Sequence, residues 1–251
     1  MIKFRRPALT WLFDLDNTLH DASHAIFPAI NANMNAYMAR LLGKDGQDAD
    51  AATVDAARLA YWRRYGATLL GLIKHHDVRA EEFLREAHQF DDLRQMIRTE
   101  RGLNRLLRRL PGRKILLTNA PHQYSRDVVR HIGLQRHFSR HISIEAMRVH
   151  GQLRPKPSKT LLRKLLKHER LLPSRCVLVE DTAVNLKAAK ALGIRTALIT
   201  RYLNAAPGTL PHRNAGPTKR PAYVDVKVQS VKSLSKNLRR LGGVMATEKA
   251  P

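Results

Sequence analysis

Apolar residues dominate Ala8-Leu9-Thr10-Trp11-Leu12-Phe13, a stretch whose length and aromatic and branched content predict a buried strand. It stops at Asp14-Leu15-Asp16-Asn17-Thr18, where polar residues turn the chain away. From about Ala22 to Leu110 the period changes from strand-like to helical. Ile26, Ile30, Met34, Tyr37, Met38 and Leu41 recur at intervals of three to four residues, which describes one apolar helix stripe. Gly43 to Gly46 breaks that stripe, and Thr53 to Tyr65 predicts a second helix terminated by Gly66. Thr68 to Ile73 predicts a short apolar helix running into Lys74-His75-His76-Asp77. Arg79 to His88 carries acids in its first turn, as a helix start prefers, and Glu100 to Leu110 closes the series.

Beyond Pro111-Gly112 strands and helices alternate. Lys114 to Thr118, the weaker Phe138 to Ile144, Cys176 to Val179 and Arg195 to Thr200 read as strands. Between them Ser125 to Ile132, Thr160 to His168 and a segment reaching Leu192 read as helices, with Ser158 able to cap the second. This alternation predicts an α/β fold, a parallel sheet with helices on both faces. Residues 22–110 then form an all-helical insertion after the first strand, placed to cover a site, and residues 1–21 and 111–241 form the core. Residues 204–221, rich in Pro, Gly and Ala, read as a loop or linker. Ala222 to Val228 alternates like an edge strand, Leu234 to Leu241 reads as a short helix, and residues 242–251 as a frayed tail.

At 251 residues the chain can bury a sizeable core, and 43% hydrophobic with 26% charged residues is ordinary for a globular protein. No apolar run approaches the roughly 18 residues a membrane helix needs, and Met1 to Pro7 lacks the apolar centre of a secretion signal. A cytoplasmic protein without a membrane partner is expected. The single cysteine, Cys176, excludes an internal disulfide framework and reads as a packed strand residue. Charge changes the picture more. Lys and Arg total 45 against 21 acids, a formal +24, which favours polyanionic or phosphorylated partners. No zinc-finger spacing, aromatic RNA-binding signature or long basic arm accompanies that charge, so nucleic acid stays a secondary reading. Oligomeric state is not legible.

The polar ends of the predicted strands carry the chemistry. Asp14 and Asp16 end the first, Thr118 and Asn119 the second, and Glu180 and Asp181 a later one, while Lys156 arrives between two prolines. Alone, the Asp14-Asp16 string could end a strand in a polar turn, share a divalent metal, or supply a nucleophile and a proton carrier. Lys156 alone reads as a solvated loop lysine, and Glu180-Asp181 alone as a helix cap. In a parallel sheet, however, all these ends lie on one edge, where ligands bind. Several acids with a lysine and a hydroxyl make a site for Mg2+ and a phosphate.

This ordered set resembles the four signature motifs of the haloacid dehalogenase-like hydrolases, over about residues 9 to 200. The resemblance implies a Rossmann-like core, with the helical insertion matching the first cap class. It implies a phosphate monoester hydrolase, because Asp16 is the second acid that marks phosphatases within the family. In that reading Asp14 attacks phosphorus, Asp16 moves protons, and Thr118, Asn119 and Lys156 hold the phosphoryl group. Mg2+ sits on Asp14, the Asp16 backbone carbonyl and Asp181, with Glu180 direct or through water. Tyr65-Gly66, Leu70-Gly71-Leu72, His76 and Thr118-Asn119-Ala120 resemble the pyrimidine 5′-nucleotidase subgroup, which implies a nucleoside monophosphate substrate. Tyr65 and the leucines also fit ordinary helix packing, and His76 could cap a helix as easily as touch a nucleotide. A sugar phosphate or phosphoglycolate is the alternative substrate, and a basic RNA-binding protein on the same fold the further one.

Overall fold

Strand β1 (Thr10–Phe13) is wholly buried, and its side chains alternate between two hydrophobic cores. Trp11 and Phe13 face one core and Leu12 the other, so one short strand anchors both faces of a sheet. Burying a side chain of this size contributes about 1.5–3 kcal/mol. In this computed structural model, which describes residues 9–203 and 219–242, β1 pairs in parallel with β2 (Arg113–Leu117) and with β6 (Cys176–Glu180). Outside these lie β3 (Arg140–Ile142), β7 (Arg195–Ile199) and β8 (Val226–Val228), giving a six-stranded parallel sheet in the order β3-β2-β1-β6-β7-β8. Helices α6 (Leu103–Arg109) and α7 (His122–His131), with a 3-10 segment at Val231–Asn237, cover one face. Helices α8 (Lys159–His168) and α9 (Ala183–Lys190) cover the other. This is the Rossmann-like architecture expected, with helices on both faces.

Between β1 and α6 the described residues contain helices α1 (Ile26–Leu42), α2 (Ala51–Tyr65), α3 (Thr68–His76), α4 (Ala80–Ala87) and α5 (Leu93–Met96), and no strand. Of their start and stop signals, Gly66 acts as the sequence suggests, whereas the Asp50 cap sets the start of α2 two residues before the expected Thr53. The Asp50 carboxylate accepts from Thr53 N at the head of α2, and Gly66 ends it with φ of 80°. Helices α1 to α4 share a separate apolar cluster around Met38, Val54, Leu72 and Phe83. Helix α6 packs instead on the sheet, through Leu103, Leu106 and Leu107.

Four local differences from expectation have physical causes. Helix α6 starts at Leu103 rather than Glu100, because Gly102 takes φ of 88° and the Glu100 carboxylate turns inward to accept from Ser230 Oγ at 2.7 and 2.8 Å. Helix α5 and the hairpin β4 (Arg148–Val149) and β5 (Gln152–Leu153) are too short to leave a period in the sequence. The hairpin turns on His150 and Gly151, both at positive φ, which suits a two-residue connection. The segment expected as a helix over Leu234 to Leu241 is a 3-10 helix over Val231–Asn237, capped by Ser230 accepting from Lys232 N. Of the expected linker at 204–221 and tail at 242–251, residues 204–218 and 243–251 lie outside the described residues. Cys176 packs as a strand residue should, and burial pushes its thiol up to about 11. Among the described residues no helix is long and apolar enough to cross a membrane.

Candidate active site

The register of the three central strands explains why distant polar residues meet. Phe13 lies beside Leu116 of β2 and Val179 of β6, so the next residues along, Asp14 and Glu180, emerge at one level of the carboxyl edge. Asp14 is 6% exposed and its N–H donates to Val179 O at 3.0 Å, which fixes its backbone to β6. Lys156 Nζ donates to Asp14 Oδ1 at 2.7 Å and to Glu180 Oε2 at 2.8 Å, and Thr18 Oγ1 donates to Asp14 Oδ2 at 3.1 Å. A two-way clamp delivers the lysine. The Asn119 amide donates to Lys156 O at 3.0 Å, and Lys156 N donates to Asn119 Oδ1 at 3.0 Å. Asn119 thus joins the end of β2 to the loop after the β4–β5 hairpin. Thr118 Oγ1 accepts from Ala120 N at 3.0 Å and sits buried beside the same edge.

Electrostatically the edge is short of positive charge. Asp14, Glu180 and Asp181 offer carboxylate oxygens that all lie within 4.8 Å of one another, and Lys156 is the ammonium bonded among them. Burial, then the Glu180 charge, pushes the Asp14 carboxyl up to about 7, against the pull of Lys156. Burial and the charges of Glu180 and Asp14 hold Asp181 well above the carboxylate range. Burial works against the charge of Lys156, but Asp14 and Glu180 hold its ammonium above the ordinary lysine value. Three hard oxygen donors around an uncompensated negative charge suit a divalent cation such as Mg2+, so the residues present fit the metal. Glu180 is engaged on both oxygens, since Oε2 accepts from Lys156 and Oε1 from Thr182 N at 3.3 Å.

Asp16 stands in different surroundings. Its Oδ1 accepts from Tyr124 Oη at 2.6 Å and lies 2.9 Å from His20 Nε2, while Oδ2 has no hydrogen-bond partner among the described residues. Burial opposes its charge, but the hydrogen bond and charge of His20 and the bond from Tyr124 hold the carboxyl below its ordinary value. Tyr124 is itself held well above the usual phenol range by burial and by Asp16, which keeps its proton in place for donation. Its ring packs against His88 and Phe90, with centroids 5.2 and 5.8 Å away. The loop bearing Asp16 is shaped by Asn17, at φ of 57°, whose Oδ1 accepts from Ala22 N and Ser23 N, each at 3.1 Å. Sequence reasoning missed His20 and Tyr124. His20 had a signal, four residues after Asp16, whereas Tyr124 shares a helix stripe with Val128 and Val129 and reads as core.

Tyr65 and His76 make their hydrogen bonds within the α2–α3 pair rather than to the carboxyl edge. Tyr65 Oη lies 2.6 Å from His75 Nε2, and Tyr61 Oη 2.5 Å from His76 Nε2. Gly71 permits this arrangement. A Cβ there would meet the Tyr61 ring at 2.3 Å. Leu72 is fully buried in the same cluster, as helix packing requires.

Comparison with known proteins agrees with the geometry. The sequence model of the family described as hydrolase, haloacid dehalogenase-like hydrolase, matches residues 10–193. Among solved structures the fold is similar to a HAD phosphatase from Thermococcus onnurineus, at 17% identity and a TM-score of 0.60, covering 95% of this chain and 100% of that one. It is also similar to L-2-haloacid dehalogenase from Xanthobacter autotrophicus, at 21% identity and a TM-score of 0.53, covering 93% and 99% of the two chains. At such identities the likeness is one of fold.

Proposed function

We propose that this chain, which belongs to the haloacid dehalogenase-like hydrolase family, is a Mg2+-dependent phosphate monoester hydrolase working through an aspartyl phosphate. The observation that carries the reading is the placing of Asp16. Tyr124 and His20 anchor its Oδ1, which leaves Oδ2 for a proton travelling to and from the leaving oxygen. Asp14 is the nucleophile, held on its two oxygens by Lys156 and Thr18. An Asp14 oxygen bonds to phosphorus, the ester P–O bond breaks, and the departing alcohol takes its proton from Asp16. Water then attacks the same phosphorus and gives a proton to Asp16. The bond to Asp14 breaks and inorganic phosphate leaves.

Lys156, the Thr118 hydroxyl and the Asn119 backbone amide hold the transferring group, whose transition state is stabilised mainly by position and charge. Bound Mg2+, held by Asp14, Asp181 and the Asp16 backbone carbonyl, supplies positive charge at the phosphoryl oxygens. Glu180, whose Oε2 accepts from Lys156, would contact the cation directly or through water. Charge compensation at the edge also puts the protons where the chemistry needs them. Positive charge lowers the proton affinity of Asp14, and an arriving dianionic ester raises that of Asp16.

The helical insertion is the cap, residues 22–110, with α6 as its support on the sheet. Tyr65-Gly66, Leu70-Gly71-Leu72 and His76 in this cap, with Thr118-Asn119-Ala120 at the sheet edge, resemble the pattern of the pyrimidine 5′-nucleotidase subgroup. On that ground the substrate is a nucleoside 5′-monophosphate, and a pyrimidine nucleotide in particular. Turnover of a panel of mononucleotides, sugar phosphates and phosphoglycolate, with Mg2+ or with EDTA, tests both levels. Hydrolysis that needs Mg2+ and is fastest for UMP or CMP is expected. Preference for a sugar phosphate or phosphoglycolate would overturn the nucleotidase, and activity surviving EDTA the metal-dependent phosphatase.

A further inference from the structure

We propose that the amino-terminal edge of the sheet, the rim opposite Asp14, is a docking surface for the phosphate backbone of a nucleic-acid duplex. The proposal does not depend on the phosphatase reading. Arginines gather where the strands begin: Arg113 opens β2, Arg140 β3 and Arg195 β7, and Arg175 directly precedes β6. Because these strands are all parallel, their starts share one rim. One carboxylate, Glu169, answers two of them, at 2.5 Å from Arg113 and 3.3 Å from Arg140.

Two further elements bring charge to the same place. Helix α6 hands the chain to β2 through Leu110-Pro111-Gly112, so its end lies at the rim. Arg195 Nη1 donates to Arg240 O at 3.1 Å and Arg175 Nη1 to Gly242 O at 3.0 Å, which ties the end of the C-terminal segment there as well. Both elements turn leucines inward, and both turn cations outward. Arg105, Arg108 and Arg109, with Lys236, Arg239 and Arg240, are exposed, and none forms an ion pair among the described residues. Neither 101–118 nor 226–242 contains an Asp or Glu. The catalytic rim carries the buried cluster of Asp14, Glu180 and Asp181, whereas at this rim Glu169 and Asp225 are paired and the cations of these two segments are left uncompensated.

The chemistry favours a duplex over other polyanions. Neither of those two segments contains an aromatic residue, so a single strand would find no stacking platform. Of the exposed large apolar residues, Ile73, Leu172 and Val184, only Leu172 precedes a strand at this rim, too little for a membrane-inserting face. A duplex offers the densest row of phosphates, about one charge per 1.7 Å. From β3 to β7 the rim spans four inter-strand steps, about 19 Å at about 4.8 Å each. Over that length a duplex carries about eleven charges.

The test is fluorescence anisotropy of the full chain with a duplex of about 20 base pairs, as DNA and as RNA, across about 50 to 200 mM salt. Salt-sensitive binding of both duplexes, indifferent to base sequence, is expected. The combined variant Arg105→Gln, Arg108→Gln, Lys236→Gln and Arg239→Gln should weaken it at least about tenfold and flatten the log–log salt slope by about 3 to 4. A charge-matched control on the helical insertion, Arg63→Gln, Lys74→Gln, Arg79→Gln and Arg85→Gln, should bind as the parent does. Equal loss in the two variants, no loss in the first, or tighter binding to a single strand of the same length or to phosphatidylserine vesicles would overturn the proposal. Circular dichroism of both variants separates lost binding from lost fold.

Discussion

The carboxyl edge of the sheet and the helical insertion are built by opposite logics. At the edge three functional side chains are fixed by residues from other elements: Asp14 by Lys156, Lys156 by Asn119, Asp16 by Tyr124. In the insertion the tyrosine–histidine contacts join neighbouring helices, with Tyr61 and Tyr65 of α2 meeting His76 and His75 of the adjoining α3. The edge is rigid because strands separated by a hundred residues hold it, and its chemistry tolerates little displacement. The insertion rests mainly on a second apolar cluster, which Ile144 and Leu153 complete, while Ile26 of α1 packs into the sheet core. The proposed function assigns reaction type to the first region and substrate choice to the second.

Replacing Lys156 by Met would test the edge most severely. It leaves Asp14, Glu180 and Asp181 buried together without their ammonium, so a loss of about 3 kcal/mol or more of stability and of at least about a hundredfold in kcat is expected. Chemical denaturation and steady-state kinetics read the two effects. An unchanged midpoint would mean that the lysine is not the charge partner it resembles.

A smaller effect comes from pH without mutation. In the metal-free protein Asp14 is raised from 3.8 to about 7 and Asp181 is raised as well, so the native state binds more protons than the unfolded chain. The contribution of Asp14 to stability is complete below about pH 4 and is lost as pH rises through about 7, and that of Asp181 is likewise lost toward higher pH. Mg2+ should reverse that loss, and the Tm gain on adding it should be larger at about pH 8 than at about pH 5. Differential scanning fluorimetry with and without Mg2+ decides; a gain independent of pH would place the cation elsewhere.

Gly71→Ala probes the other region. The added methyl meets the Tyr61 ring, so a loss of about 1–3 kcal/mol is expected, with KM rising for the preferred substrate and kcat for a small phosphoester within about threefold of the parent. A collapse of kcat on the small ester would tie the insertion to the chemistry and erase the distinction.

Legibility in the sequence follows the same division. The strands were readable because each central one is a short apolar run ending in polar residues, and the parallel topology put those ends together. Asp14, Thr118, Lys156, Glu180 and Asp181 therefore announced themselves as a set. The double role of Asn119 was hidden, because an amide that clamps a distant backbone leaves no spacing signal. Tyr124 was hidden by its apolar neighbours on α7, and the β4–β5 hairpin by strands of two residues. Glu100 looked like a helix start because its buried partner Ser230 lies 130 residues away. Contacts of that range depend on the fold as a whole, and a local pattern does not contain them.

The central claim is that Asp14 carries the phosphoryl group. Rapid quenching of turnover with the preferred phosphoester and Mg2+, followed by peptide mass spectrometry, measures it directly. Phosphate on Asp14, released by hydroxylamine and absent in Asp14→Asn, is the predicted result. Turnover that persists in Asp14→Asn, or phosphate found on another residue, would contradict it.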